Sequence, residues 1–204
     1  AYASSDRTAT AGVDYTAVTG ILTFSPSVTS QTSAVPVCGD LLDEADETLL
    51  MTLSDPTKAY LARGQGVGTI LDNDPTPSLS INDLTVVEGD SGSKTGSFTV
   101  TLSAPSGKTV QVNYATTNGT ALAGVDFTAV SGTLIFTPGQ TSKTISILIQ
   151  GDVVYEETET FTVKLTSPSN ATLAVSQGVG TILDNDPQLP TTTTYFVHLP
   201  MVMR

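Results

Sequence analysis

The amino-acid sequence predicts an all-β protein, namely tandem immunoglobulin-like seven-stranded antiparallel β-sandwiches, the first of them incomplete. Three observations carry this expectation. Apolar and polar residues alternate at period two over many short runs, the mark of half-buried strands. Only 14% of residues are charged while 39% are hydrophobic, and Thr and Ser are abundant, which suits strands and disfavours long surface helices. Finally, the segment QGVGTILDNDP at residues 65–75 returns unchanged at 177–187, so the chain repeats with an offset of 112 residues. The same offset carries Tyr2 onto Tyr114, Gly12-Val-Asp14 onto Gly124-Val-Asp126, and Glu44 and Glu47 onto Glu156 and Glu159 without a gap.

In the second copy the strands follow in order. Leu79 and Ile81 mark strand A; Phe98, Val100 and Leu102 mark B; Val110, Val112 and Tyr114 mark C; Leu134 and Phe136 mark D. Ile145, Ile147 and Ile149 alternate in E, Phe161, Val163 and Leu165 in F, and residues 179–183 form G. Turn signals such as Ala104-Pro-Ser-Gly107 and Thr137-Pro-Gly139 separate them. Seven short strands in about 110 residues match a two-sheet sandwich. The first copy keeps the phase, with Leu49, Met51 and Leu53 where Phe161, Val163 and Leu165 stand. Pro36 falls inside its expected strand E, which places that strand at an edge or a bulge. Everything before Tyr2 is missing, so strands A, B and most of C are absent. The expected organisation is an incomplete sandwich at 1–75, a complete one at 76–187, and a Pro/Thr linker with an apolar strand at 188–204.

Because strand direction alternates, the A–B, C–D and E–F loops and the end of G emerge at one pole. The acidic residues collect there: Glu88 and Asp90, Asn118 and Asp126, Asp152, Glu156, Glu157 and Glu159, then Asp184, Asn185 and Asp186. Converging carboxylates repel one another unless a hard cation sits among them, and Ca²⁺ takes six to eight oxygens. A solvated acidic pole whose Asp residues cap turns is the competing expectation.

The motifs Val87-Glu88-Gly89, Tyr114-Ala-Thr-Thr-Asn-Gly-Thr-Ala121 with Gly124-Val-Asp-Phe127, Gly151-Asp152 leading to Tyr155-Glu-Glu-Thr-Glu-Thr-Phe161, and Ile182-Leu-Asp-Asn-Asp-Pro187 resemble the successive motifs of Calx-beta domains. Those modules occur in sodium–calcium exchangers, an integrin subunit and bacterial surface proteins. The resemblance implies a weak Ca²⁺ site with Glu88, Asn118, Asp152, Glu156, Glu159, Asp184 and Asp186 as ligands. It implies a matching set in the first copy of Asp6, Asp40, Glu44, Glu47, Asp72 and Asp74. Asn118 stands where calcium-sensing members carry an aspartate, Gly151 and Gly39 replace another ligand, and Asn73 and Asn185 interrupt the acidic triplets.

Other function classes are disfavoured. The net charge is −12 with only eight Lys and Arg, the wrong sign for nucleic acid. Cys38 is alone, which excludes an intrachain disulfide or a thiolate cage, and His198 lies far in sequence from any Ser, Cys or Asp cluster, so no enzyme is expected. No apolar run reaches the roughly 20 residues of a membrane-spanning helix. Residues 1–10 lack the apolar core of a signal peptide, which reads as a removed leader or a fragment. Asn118-Gly-Thr120 and Asn170-Ala-Thr172 are glycosylation sequons.

In the tail, Tyr195, Val197, Leu199, Met201 and Met203 form one apolar face of a strand. Two explanations stand side by side. The strand enters the open groove of a first module in another molecule, giving head-to-tail self-association by donor strand exchange. Alternatively, Ala1 is a cut site, and the tail docks locally or acts as a sorting signal. The expected function is a secreted, extracellular or cell-surface structural repeat, a stalk, matrix or filament subunit stiffened by Ca²⁺. A protein- or glycan-binding adhesion module and a Ca²⁺-sensing regulatory domain are the alternatives.

Overall fold

The computed structural model describes residues 1–188. The apolar tail strand expected at residues 195–203 lies outside them. The first module holds β1 (Tyr2–Asp6), β2 (Thr19–Gly20), β3 (Glu47–Leu53) and β4 (Gln65–Ile70), in one antiparallel sheet of order β2-β1-β3-β4. The second holds β5 (Ser78–Ile81), β6 (Leu84–Val87), β7 (Gly92–Leu102), β8 (Val110–Asn118), β9 (Ser131–Phe136), β10 (Ser142–Gly151), β11 (Glu159–Ser169), β12 (Thr172–Val175) and β13 (Gln177–Leu183). Its two sheets run β10-β7-β5-β12 and β6-β13-β11-β8-β9. Strands B to F are β7 to β11, and G is β13.

The fold class is the expected one, with nine strands in the second module where seven were expected. Strand A is divided. Its first half, β5, pairs with β7, whereas β6 crosses to the other sheet and runs parallel to β13. The crossing is held by two side chains: Asn82 Oδ1 accepts the Thr99 N–H (2.5 Å) and Asp83 Oδ1 accepts the Val179 N–H (2.7 Å). Each replaces a ladder acceptor that the departing backbone takes away. The short β12 pairs in parallel with β5, completing the first sheet.

Strand E of the first module is not formed. Val37 makes only an isolated bridge to Tyr15. The reason is the neighbour it lacks, since β10 is paired along its whole length with β7, from Ser142↔Thr101 to Gly151↔Gly92, and among the described residues no counterpart of β7 lies in the first module. A strand without a ladder partner leaves its backbone groups to water. The facing core is correspondingly thin, with Ala9, Tyr15 and Leu49 buried and Ala11, Val35 and Ile70 packed on them.

The second module closes a full core. Phe98 and Ile147 come from one sheet, Val112, Phe161 and Val163 from the other, all fully buried. Phe161 is central: it stacks on Phe127 (centroids 4.4 Å, 19°) and meets Phe98 edge-on (6.0 Å, 75°). Gly180 makes room for it, because a Cβ there would lie 2.3 Å from the ring. Phe127 belongs to the C–D loop, so this stack ties the loop to the core.

The modules meet end to end. Asp43, in the E–F loop of the first, pairs with Ser106 in the B–C turn of the second. Gly107 N–H and Ser106 Oγ both donate to the Asp43 carbonyl (3.1 Å each), and Lys108 Nζ reaches Asp43 Oδ1 at 2.8 Å and Asp72 Oδ2 at 3.7 Å. Asp43 is 3% exposed, and nothing in its sequence context marked it. Truncating Phe161→Ala is expected to destabilise the second module by ~3–5 kcal/mol, through lost burial and the cavity left between the sheets, as read from urea unfolding.

Candidate functional site

Strand direction brings four segments of the second module to one end, β6 running parallel to β13 while β7, β10 and β11 alternate. β6 delivers Glu88, β10 delivers Asp152, β11 begins at Glu159, and β13 runs out into Asp184 and Asp186. Each loop is shaped by its own side chains. Asp126 Oδ2 accepts the Leu122 N–H (2.7 Å), closing the C–D turn, and Asp152 Oδ1 accepts the Val154 N–H (2.7 Å). Asp184 accepts the Asp186 N–H on Oδ1 (2.8 Å) and the Glu156 N–H on Oδ2 (3.1 Å), joining the G end to the E–F loop. Asn185 is structural: its Oδ1 accepts the Gly89 N–H (2.8 Å), and its Nδ2 donates to Asp90. The asparagine in the acidic triplet therefore pins the A–B loop to the end of β13.

Two groups of three carboxylates result, Glu88 with Asp184 and Asp186, and Asp126 with Glu156 and Glu159. Within each group one oxygen from every residue lies inside 4.8 Å of the others. Glu88 is 3% exposed. Glu88 Oε1, Glu159 Oε2 and Asp186 Oδ2 are buried without a hydrogen-bond partner. Burial, reinforced by Glu156, Asp152 and Asp184, pushes the Glu88 carboxyl up to about 7. Burial and then Asp126 push Glu159 up to about 7, and Glu156 and Asp186 rise for the same first reason. Unpartnered buried carboxylate oxygens are costly unless a cation or proton joins them.

Asp126 was seen at this pole but not counted as a ligand. The signal was present in the repeated Gly-Val-Asp motif, whose glycines Gly12 and Gly124 both take φ +89°. Asn118 is in neither group; its Oδ1 accepts the Ala123 N–H (3.1 Å). Asp6, its counterpart, accepts from Ala11 N–H (2.9 Å) and Tyr15 Oη (2.7 Å), and the Tyr15 hydrogen bond holds it below the usual carboxylate range. In the second copy Phe127 stands for Tyr15, so the phenol and the carboxylate are lost together.

In the first module Asp40, Glu44, Glu47, Asp72 and Asp74 line one cavity with Asp14. Burial, then Asp40 and Asp14, raise Glu44; burial, then Asp14, raise Glu47. The repeat offset puts the position equivalent to Glu88 ahead of Ala1, and among the described residues both close carboxylate triads belong to the second module. The two glycines at the absent ligand position differ in kind. At Gly151 a Cβ would lie 2.1 Å from the Gly89 carbonyl oxygen, so the A–B loop leaves no space for any side chain. At Gly39, where that loop is missing, nothing lies within 4 Å.

The sequence profile of the Calx-beta domain matches residues 1–74 and again 72–187. The sodium/calcium exchanger Calx of Drosophila melanogaster is 30% identical over 171 residues, 82% of this chain and 18% of that protein. Sodium/calcium exchanger 1 of Rattus norvegicus is 41% identical over 78 residues, 38% of this chain and 8% of that protein. The chain thus spans less than a fifth of these relatives. Among solved structures, the apo-form CBD1 domain of Calx aligns with 55% of this chain and 100% of its own, at 30% identity and TM-score 0.47. CBD12 of Calx aligns with 89% and 85% at 22% identity and TM-score 0.46.

Two outcomes follow from the site. Gly151→Ala should cost ~2 kcal/mol by forcing the A–B loop outward, while Gly39→Ala stays within about 0.5 kcal/mol; urea unfolding compares them. The pH dependence has a definite sign. Glu88 and Glu159 titrate at about 7 in the folded chain and near 4.3 when unfolded. Their contribution to stability is therefore full below about pH 4.3 and is lost as pH rises through about 7. In chelator, the melting temperature should fall from about pH 5 to about pH 8, and a flat or rising profile would contradict the assignment.

Proposed function

The chain belongs to the Calx-beta domain family, and on that premise we propose that it is a non-enzymatic, Ca²⁺-binding repeat module whose occupied acidic poles stiffen an end-to-end stalk. The observation that carries this reading is the pair of carboxylate triads with buried, unpartnered oxygens. Its donor set is entirely oxygen, which suits a hard divalent cation and disfavours zinc or copper. The relatives are named as sodium/calcium exchangers, which supports calcium in particular.

Glu88, Asp184 and Asp186 would hold one ion and Asp126, Glu156 and Glu159 another, with Asp152 beside them. Bound Ca²⁺ supplies charge neutralisation and cross-linking. The residues themselves do the positioning: Asp184 fixes the E–F loop through the Glu156 N–H, and Asn185 fixes the A–B loop through the Gly89 N–H. An ion there joins segments nearly 100 residues apart in sequence, from Glu88 to Asp186.

The stalk reading is favoured by the junction. Asp72 lines the acidic cavity of the first module and also faces Lys108 of the second. A Pro-containing segment, Asp74-Pro-Thr-Pro77, then leads directly into β5. Loading the first pole would therefore act on the joint itself. A sensor is disfavoured by Gly151, where no ligand side chain fits, and by Asn118, whose oxygen is already used within its own loop.

Titration calorimetry and thermal unfolding test the proposal. Binding should be weaker than about 1 μM. Calcium at about 100 times the dissociation constant should add ~2.7 kcal/mol, raising the melting temperature by roughly 5–10 °C. Glu88→Gln with Glu159→Gln should abolish most of that rise. Submicromolar affinity would point to a sensor, and no heat with no thermal shift would overturn calcium binding altogether.

A further inference from the structure

The chain holds six asparagines, and Asn118 is the one followed by glycine. That pairing matters chemically. The main-chain nitrogen of the following residue is the nucleophile that attacks an asparagine side-chain amide, and a Cβ on that residue hinders its approach. Asn73, Asn82 and Asn185 precede aspartate, Asn113 precedes tyrosine and Asn170 precedes alanine. Asn118 and Gly119 are both exposed. Asn118 ends β8 and is paired with Phe161, so Gly119 stands just outside the ladder. Its N–H donates to the Ala121 carbonyl at 3.3 Å, a long bond that is easily given up.

The side-chain amide is arranged for the same step. Asn118 Oδ1 accepts the Ala123 N–H (3.1 Å), which draws electron density from Cγ and steadies the oxygen as negative charge develops on it. Nδ2, the leaving group, has no hydrogen-bond partner among the described residues. By contrast, Asn170 Nδ2 donates to the Thr109 carbonyl (2.9 Å), and Asn82 and Asn185 are bonded through both side-chain atoms. Packing also favours glycine at 119, where a Cβ would collide with the Thr160 carbonyl oxygen. In the first module Arg7 takes that place on a different path, with the Thr48 carbonyl accepting from both Thr8 and Ala9 N–H (3.0 and 2.9 Å).

We propose that Asn118 is a site of spontaneous deamidation, which turns its amide into a carboxylate and adds an acid to the group of Asp126, Glu156 and Glu159. The Gly119 nitrogen loses its proton and bonds to Cγ; the Cγ–Nδ2 bond breaks, and Nδ2 leaves with that proton as ammonia. Water opens the resulting succinimide. Attack at Cγ puts a hydroxyl there, returns a hydrogen to the Gly119 nitrogen and gives aspartate, whereas attack at the main-chain carbonyl gives isoaspartate. Water is the sole co-reactant, and nothing is oxidised or reduced. Asp126 Oδ2 accepts the Leu122 N–H and Asn118 Oδ1 the adjacent Ala123 N–H, so the new charge arises beside Asp126. Aspartate fits this corner: the repeat places Asp6 there, and Asp6 Oδ1 accepts from Ala11, the counterpart of Ala123 (2.9 Å). Isoaspartate inserts a main-chain carbon where the Thr160 carbonyl leaves no space, so aspartate is the product the fold accommodates. The oxygen that replaces Nδ2 then becomes a further ligand, a consequence that rests on the calcium reading above; the deamidation does not.

The test is to age the whole chain in warm, mildly alkaline buffer and follow it by tryptic peptide mass spectrometry. The peptide spanning 109–143 carries both Asn113 and Asn118, and fragmentation separates them. The mass gain of exchanging an amide for an acid is expected at Asn118 ahead of the other five asparagines, and Asn118→Gln should lack it. An Asn118 that stays intact, or changes no faster than the others, overturns the proposal. By titration calorimetry, Asn118→Asp should bind Ca²⁺ roughly 10-fold tighter than fresh wild type. In chelator it should melt lower, because there the added charge only repels its neighbours. The aspartate-containing fraction of aged protein, separated by ion exchange, should match that variant. Unchanged affinity in both would overturn the added ligand. Absence of heat from every form would remove the calcium reading, and the mass gain at Asn118 would still decide the deamidation.

Discussion

Mutual repulsion among partly desolvated carboxylates is the constraint around which the rest of the second module is organised. Alternating direction along the long strands forces every second loop to the same end, and in this chain those loops carry the acids. Bringing Glu88, Asp126, Glu156 and Glu159 together out of water is unfavourable by itself, as the raised carboxyls of Glu88 and Glu159 express. The hydrophobic core supplies the opposing term. Phe127 stacks on Phe161, holding the C–D loop and with it Asp126 against the sheets. Asn185 and Asp184 fasten the remaining loops by backbone hydrogen bonds. Site geometry is thus enforced from below, by aromatic packing, and from the sides, by turn chemistry.

The first module serves as an internal comparison, since the same sequence pattern is present among the described residues with fewer strands around it. Without a partner for strand E, residues with β-propensity form no ladder. Without the A–B loop, the acidic cavity loses its Glu88 side, and the close contact that empties position 151 of any side chain disappears at Gly39. Strand formation and ligand geometry in this fold are therefore properties of the whole sandwich and not of the individual segments.

Much of this was legible in the sequence. Period-two alternation located strands B to G of the second module because each has one buried face, and the repeat offset gives the spacing of the two copies. The acidic pole followed from strand direction alone. What could not be read depended on contacts between distant segments. The division of strand A rests on Asn82 and Asp83 replacing ladder acceptors, and nothing local distinguishes such residues from ordinary turn formers. Asp126 looked like a turn residue because it is one, and its place beside Glu156 and Glu159 comes from the Phe127 stack. Asp43 and Lys108 are 65 residues apart, and their pairing exists only once two modules are docked.

The exchange of Asp6 and Tyr15 for Asn118 and Phe127 bears on how such arrays can evolve. Repeats that share an identical 11-residue segment invite unequal recombination, which produces hybrid modules. A crossover between the end of strand C and the following loop would separate the two residues of each pair. The hybrids are not equivalent. Asparagine with tyrosine keeps an acceptor for the phenol, whereas aspartate with phenylalanine keeps a charge that has lost its hydroxyl donor and retains only the backbone N–H. Shuffling would thereby be tolerated in one direction and opposed in the other, so the two residues of each pair are better exchanged together than singly.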